Sequence, residues 1–409
     1  LSALRDAGRE FSRNSQFWSP FVKNSQIDEP TKADIEEQLE KINAKIIEAH
    51  GTFKDVREHL NKVQELVALG KQDVVSVDAV PARIFDILNR TQVSISSTTG
   101  ARLPIGRHGE GTQSLTVLML FDAFLKSELA RKQGVQESKP IVALEEPEAH
   151  LHPNAVRALW KTINDIDGQK LIATHSGDLL SEVDLTAIRR IYKSRGLVKV
   201  GSIAPDLLNP REQRKFDFLI RRARGELFFA RCWLLGEGET EAILFSGVAE
   251  VLGLDLAQEG VRCVEYRLGD IDYFLKAANA LGISWHCLTD ADSQGLVDAS
   301  KAQNRIPDMP KRKDRHISML TGASSIEPYL ANHGFLDVYE SIAVPAKKAV
   351  KLTASQGTPE YADQIIQCIP DKPSAAYAVV EAMRERGVGS VPKALAGAVM
   401  KAVALARRQ

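Results

Sequence analysis

Two short stretches carry the residue types from which metal chemistry is built. Cys232-Trp-Leu-Leu-Gly-Glu-Gly-Glu-Thr-Glu241 and His286-Cys-Leu-Thr-Asp-Ala-Asp292 each begin as an apolar run and end in acids. A short apolar run of this kind reads as a strand buried on both faces. Its acids then fall at the carboxyl edge of an open parallel sheet, where ligands and metals collect. Glu237 closes the first strand, and Glu241 follows four residues later on one face of the helix that begins there. Asp290 and Asp292 lie two apart, so an extended chain points them the same way. Four carboxylates on one edge repel one another unless a cation joins them, and hard divalent ions such as Mg²⁺ take oxygen ligands. The spacing predicts a metal site.

The elements that must position these acids follow from the pattern around them. Strand Cys232–Leu235, helix Glu239–Leu252, strand Val261–Arg267, helix Ile271–Leu281 and strand Trp285–Thr289 alternate as βαβαβ, which argues a parallel sheet with crossover helices. Upstream, Arg211 to Arg231 carries seven basic residues against three acids, and Arg221 and Arg222 make it a candidate phosphate-facing surface. Downstream, Lys301 to His316 is proline-broken and basic, with Lys311, Arg312 and Lys313 at its heart. Its composition predicts a mobile loop that grips a nucleic-acid backbone.

A second constellation precedes the first. Arg107-His-Gly-Glu-Gly-Thr-Gln-Ser114 leads into an apolar helix over Leu115–Leu125. A glycine-rich turn opening a helix aims backbone N–H groups and the positive dipole end at an anion, which points to Gly109, Gly111, Thr112 and Gln113. Ile141-Val-Ala-Leu-Glu-Glu-Pro-Glu148 then reads as a strand ending in paired acids, and Lys170-Leu-Ile-Ala-Thr-His175 as a strand ending in a histidine. Between them lies a helix over Pro153–Ile166.

The N-terminal segment has a different periodicity. From Ile35 to Val67 the apolar positions alternate spacings of four and three, a heptad seam interrupted only at Gly51, where the segment could break into two helices. The seam predicts either an amphipathic helix packed on its own domain or an arm that pairs with a second subunit. Asp73–Val77 and Val93–Ser97 alternate as half-buried strands, with a short helix over Pro81–Asn89 between them.

Whole-chain properties bound these readings. The 409 residues suffice for two or three domains, and Lys+Arg and Asp+Glu both number 53, so any basic surface is local. The four cysteines, Cys232, Cys263, Cys287 and Cys368, lie far apart and mostly in apolar runs, which reads as reduced thiols in the cytoplasm. No apolar run reaches the length of a membrane span, so no membrane partner is expected.

The acidic stretches also carry a resemblance. Gly-Glu-Gly-x-Thr-Glu after one strand and Asp-x-Asp after another looks like a Toprim domain, and the second acid at Glu241 is similar to the pattern of overcoming-lysogenisation-defect (OLD) family nucleases. On that resemblance Ser325–Phe335 supplies a further metal-directed acid, Glu327, and Asp371–Val379 supplies a catalytic lysine, Lys372. The Ile141–Glu148 strand resembles the Walker B strand of ATP-binding-cassette (ABC) ATPases. The match gives Glu145 the metal role in place of the usual aspartate, Glu146 the base role, and His175 the role of the switch histidine. Arg189–Arg195 and Val198–Val200 look like further strands of that ATPase sheet.

The resemblance implies an α/β chain in which a partial ABC-type ATPase domain with a helical, coiled-coil-like arm precedes a Toprim domain with a parallel sheet flanked by helices. The implied boundaries are an arm over 1–72, the ATPase part over 73–210, a basic connector over 211–230 and the Toprim domain over 231–409. It implies a DNA nuclease that uses two Mg²⁺ or Mn²⁺ ions on Glu237, Glu241, Asp290, Asp292 and Glu327, with Lys372 neutralising the phosphate, in a cytoplasmic homodimer acting on DNA. No Gly-x-x-x-x-Gly-Lys-Ser/Thr occurs in the sequence. ATP is therefore expected to serve a longer protein, of which this is a C-terminal piece that hydrolyses ATP poorly. The alternatives are a topoisomerase or primase using the same acids, and a non-enzymatic ATP-gated clamp of the SMC type. Whether the pathway is phage defence or repair is left open.

Overall fold

The computed structural model describes residues 7–12, 14–23, 27–52, 55–56, 79–81, 83–88, 91, 93–96, 102–129, 140–194, 196–223, 225–267, 269–306 and 313–408. They belong to two units, Leu1–His175 and Ser176–Gln409.

In the first unit, helix α1 (Glu29–Ala49) starts where Asp28 accepts a hydrogen bond from the Thr31 N–H at 3.2 Å and Pro30 fits the first turn. It stops at His50, one residue before the glycine expected to break the seam. The seam residue Ile42 is 47% exposed, whereas Asn43 and Ile47 are buried. Asn43 explains that rotation, because its amide exchanges two 2.7 Å hydrogen bonds with the Val80 backbone. The C-terminal part of the seam, 57–67, and the strand expected over Asp73–Val77 lie outside the described residues. Helix α2 (Ile84–Leu88) and the antiparallel pair β1 (Ser94–Ser96) and β2 (Arg102–Pro104) follow.

Helix α3 (Glu110–Phe124), strand β3 (Ile141–Glu145), helix α4 (Pro153–Asn164) and strand β4 (Gln169–Ala173) form the rest of this unit's framework. β3 and β4 pair in parallel, Glu145 opposite Ala173. Val142 and Leu144 turn to one face, where they bury against Leu118, Leu159, Ile163 and Ile166.

In the second unit, β5 (Arg189–Ser194) and β6 (Leu197–Ser202) were expected to extend the ATPase sheet. Among the described residues they instead pair only with each other, as an antiparallel hairpin. Arg190 anchors it: its guanidinium donates to the carbonyls of Phe228, Ala230, Leu281 and Gly282 at 2.8–3.2 Å. The rigid donor fork thereby saturates backbone acceptors at the ends of the neighbouring elements. Helix α5 (Pro210–Arg222) follows, capped by Asn209, whose side chain accepts from the Glu212 N–H at 3.0 Å and whose own N–H donates to the Glu212 carboxylate at 2.9 Å.

The sheet that carries the acids then forms with the three strands its alternation predicts and a fourth, Ile317–Met319, that the alternation does not predict. β7 (Cys232–Gly236), α6 (Glu239–Val251), β8 (Val261–Glu265), α7 (Ile271–Leu281), β9 (Ser284–Thr289), α8 (Ser293–Gln303) and β10 (Ile317–Met319) give a four-stranded parallel sheet in the order β10-β9-β7-β8. Every β7 residue is buried, with alternate side chains entering opposite layers. Cys232 and Leu234 meet α6, α10 (Lys372–Arg386) and α11 (Lys393–Ala406), while Trp233 and Leu235 meet α5 and α7. The short helix α9 (Ile326–Leu330) joins the first layer through Ile326, Tyr329 and Leu330. The chain is thus mixed α/β with a parallel sheet between helical layers.

Candidate metal centre

Two glycines let the acidic edge form. A Cβ on Gly236 would lie 2.4 Å from the Glu241 Cβ, so the first turn of α6 folds directly over the end of β7. A Cβ on Gly295 would lie 2.1 Å from the Asp290 carbonyl oxygen, so α8 starts in contact with the end of β9. These turns place Glu237, Glu241, Asp290 and Asp292 at the carboxyl ends of neighbouring strands. Glu327 enters from the first turn of α9.

Burial sets the electrostatics. Glu241, Asp290 and Glu327 are 6%, 8% and 2% exposed, while Glu237 is half-buried and Asp292 exposed. Desolvation, followed by the charges of Glu241, Glu237, Asp292 and Glu327, pushes the Asp290 carboxyl up to about 7. Desolvation likewise raises Glu241 to about 6, against a hydrogen bond from the Gly238 N–H and with further repulsion from Glu327 and Glu237. Asp290 therefore lies within electrostatic reach of the other four acids.

They are not drawn into a cage. Among the described residues no three His, Cys, Asp or Glu side chains are grouped at metal-binding spacing. Each of three acids holds another partner instead. Glu241 accepts from the Gly238 N–H at 2.7 Å, Asp292 caps α8 by accepting from the Gly295 N–H at 2.7 Å, and Glu327 meets Lys372. The donor set is all carboxylate oxygen, with three of the five acids buried, and so suits a hard divalent cation that would offset the repulsion.

The Glu327–Lys372 pair joins two residues singled out separately in the sequence. Lys372, at the first position of α10, brings Nζ to 2.8 Å from Glu327 Oε1. The Lys372 side chain is 58% exposed, whereas that of Glu327 is 3% exposed, so the ion pair joins a solvent-facing cation to a buried acid. Beside the acids sit two groups that no sequence motif assigns to the site. Asp298 on α8 is 5% exposed, with Gln294 Nε2 at 3.1 Å and Lys301 Nζ at 3.6 Å. The Tyr266 hydroxyl is buried without a hydrogen-bond partner, and burial raises its pKa. Neither belongs to a motif, so only packing reveals them.

In the first unit, parallel pairing brings the ends of β3 and β4 together. Glu146 sits at a left-handed backbone position, φ 42°, and its N–H donates to the Ala173 carbonyl at 2.8 Å. Its carboxylate lies 3.7 Å from His175 Nε2. Glu145 ends β3 with its side chain in solvent. Gly109 caps α3, and Gln113 Nε2 donates to the His108 carbonyl at 2.7 Å. Gly111 and Thr112 occupy the first turn of α3, where a Cβ on Gly111 would lie 2.8 Å from the His150 carbonyl oxygen.

Of the residues expected to touch DNA, Arg221 and Arg222 are exposed on α5. Lys311 and Arg312 lie outside the described residues. Lys313 opens a short helix, Lys313–His316, at the end of the segment expected to be a loop, and His316 is buried against Trp285 at 4.6 Å between ring centroids; residues 307–312 of that segment lie outside the described residues. All four cysteines are free, and no described helix is long and apolar enough to cross a membrane.

Comparison with known proteins gives two family matches. The family described as "Protein of unknown function (DUF2813)" matches residues 12–226, and the "Overcoming lysogenization defect protein-like, TOPRIM domain" matches residues 228–292. An uncharacterized protein, YbjD, of Escherichia coli is 28% identical over 326 residues, covering 80% of this chain and 55% of that protein. An OLD nuclease of Thermus scotoductus is 28% identical over 257 residues, covering 59% of this chain and 46% of that protein. The solved C-terminal region of the Xanthomonas campestris pv. campestris OLD protein covers 45% of this chain and 97% of its own, at 17% identity and TM-score 0.35. The chain spans about half the length of the curated relatives it matches.

Proposed function

The chain belongs to the DUF2813 family and carries an OLD-like Toprim domain, and from that premise we propose that its second unit is a divalent-metal-dependent DNA nuclease. The observation that carries the reading is the pairing of buried Asp290 and Glu241 with Glu237, Asp292 and Glu327 at one sheet edge. Those five acids would hold two Mg²⁺ or Mn²⁺ ions, whose chemistry when bound is to activate water and to balance charge on the leaving oxygen. The protein's own groups do the rest. One of the glutamates accepts the proton of the attacking water. Lys372 swings from Glu327 toward the phosphate and offsets its growing charge. Lys313, with Lys311 and Arg312 beside it in sequence, and Arg221 and Arg222 hold the DNA backbone.

A topoisomerase reading needs an exposed tyrosine nucleophile. Tyr266 and Tyr273, the tyrosines of this sheet region, are 3% and 2% exposed, so neither serves. The test is plasmid nicking by the purified chain in Mg²⁺, Mn²⁺, Ca²⁺ and EDTA. Nicking is expected in Mg²⁺ and at least as fast in Mn²⁺, which tolerates imperfect ligand geometry. It is expected to be slight in Ca²⁺ and nil in EDTA. A plasmid left intact in every metal favours the ATP-gated clamp.

In the first unit, we assign Gly109, Gly111, Thr112, Gln113, Glu145, Glu146 and His175 to part of an ATP site. The Glu146–His175 approach supports that assignment. These 409 residues contain no P-loop lysine to hold the β- and γ-phosphates. Phosphate release from ATP is therefore expected at background level and unchanged in Glu146→Gln; release that disappears in that variant refutes the expectation. The heptad seam from Ile35 is assigned to pairing between two copies of the chain, and the free thiols suit a reducing cytoplasm.

A further inference from the structure

Helix α5 has two faces of opposite character. Phe216, Leu219 and Ile220 are buried, with the Phe216 ring edge-on to Tyr273 and Phe274 at centroid distances of 6.1 and 5.5 Å. An ion pair from Glu212 to Lys276 at 3.4 Å fixes the same side to α7. Arg211, Arg214, Lys215, Phe218, Arg221 and Arg222 recur at helical spacing on the other side, and all six are exposed. Five cations thus surround one phenyl ring that is 62% exposed.

None of the five cations forms an ion pair among the described residues. Asp217, one turn before Arg221, feels that arginine electrostatically, but it is half-buried on the flank. An apolar partner covering Phe218 would have to desolvate these unpaired charges, which is costly. A polyanion with accessible aromatic faces meets both requirements. In a duplex the base faces are stacked away, whereas an unpaired strand offers phosphates to the cations and a base to the ring.

We infer that the outward face of α5 binds an unpaired stretch of DNA, with phosphates on the five cations and a base stacked on Phe218. The nature of the sugar rests on the nuclease reading; the recognition of a single strand does not. The probes are fluorescein-labelled oligothymidine and a duplex of matched length, titrated by anisotropy in EDTA so that no cutting intervenes. Phe218→Ala is expected to weaken oligothymidine binding about 10-fold while changing duplex binding less than about 2-fold, and Phe218→Trp to keep wild-type affinity. Arg214→Ala/Lys215→Ala is expected to weaken oligothymidine binding and lower its salt slope by about 1.4. Wild-type affinity in Phe218→Ala, equal losses for both probes, or a wild-type protein that binds neither would overturn the inference. Nicking in Mn²⁺, measured separately, reports on the nuclease reading whichever way the strand result falls.

Discussion

Asp290→Ala is expected to bind DNA with nearly wild-type affinity and to cut it at a rate at least about 100-fold lower. Two sets of groups divide the labour. Lys and Arg contacts to phosphate generally supply most of a protein's affinity for DNA, and the side chains proposed to make them on α5 and at Lys313 belong to elements other than β9, which ends at Thr289 just before Asp290. On the proposed reading the carboxylates would gather the ions that perform the chemistry. Asp290 is the acid that most strongly senses the others, since Glu241, Glu237, Asp292 and Glu327 all act on it. Removing it would delete a proposed ligand and leave every basic side chain in place. Plasmid nicking in Mg²⁺ and Mn²⁺, paired with anisotropy binding in Ca²⁺, separates the two effects. If Asp290→Ala nicks at the wild-type rate, the Toprim acids are not the cutting centre and the clamp reading moves ahead.

Ease of reading from sequence tracks how local the determinant is. The parallel sheet is legible because β7 is a closed apolar run, β8 and β9 are short runs rich in apolar residues, and strands and helices alternate in sequence. Helix α7 has the expected bounds because Asp270 caps its start and Gly282, in a left-handed conformation, ends it. The placement of Glu237, Asp290 and Asp292 follows directly, since strand ends carry them. The approach of Lys372 to Glu327 is different. It depends on α9 and α10 packing into one layer beside α6, and no local pattern encodes that. The hairpin β5–β6 shows the same limit. Its alternation is visible in sequence, but its place is fixed by Arg190 reaching carbonyls up to 92 residues away. The arm shows the opposite hazard, where a clean heptad pattern hides Asn43, the residue whose hydrogen bonds decide which way the helix turns.

The strain stored at the acidic edge has its own signature in stability. Both Asp290 and Glu241 are raised, from 3.8 to about 7 and from 4.5 to about 6. A carboxyl whose pKa is higher when folded binds protons on folding, so the folded state holds more protons than the unfolded one between those values. Stability then falls as pH rises. In the metal-free protein this contribution is complete below about pH 4 and lost by about pH 7 to 8. Asparagine at position 290 mimics the protonated carboxyl. Asp290→Asn is therefore expected to match wild type at about pH 3.5, below both carboxyl values, and to be more stable by about 2 kcal/mol at pH 8, a figure reduced from the full shift because water reaches part of the site. Urea unfolding in EDTA at the two pH values measures this directly. Added Mn²⁺ is expected to stabilise wild type most at pH 8, where the acids are charged, and to stabilise Asp290→Asn little. A metal-free wild type as stable as Asp290→Asn at pH 8 would mean that the acids are not in conflict. The cluster would then be a solvated acidic rim with no need of a cation.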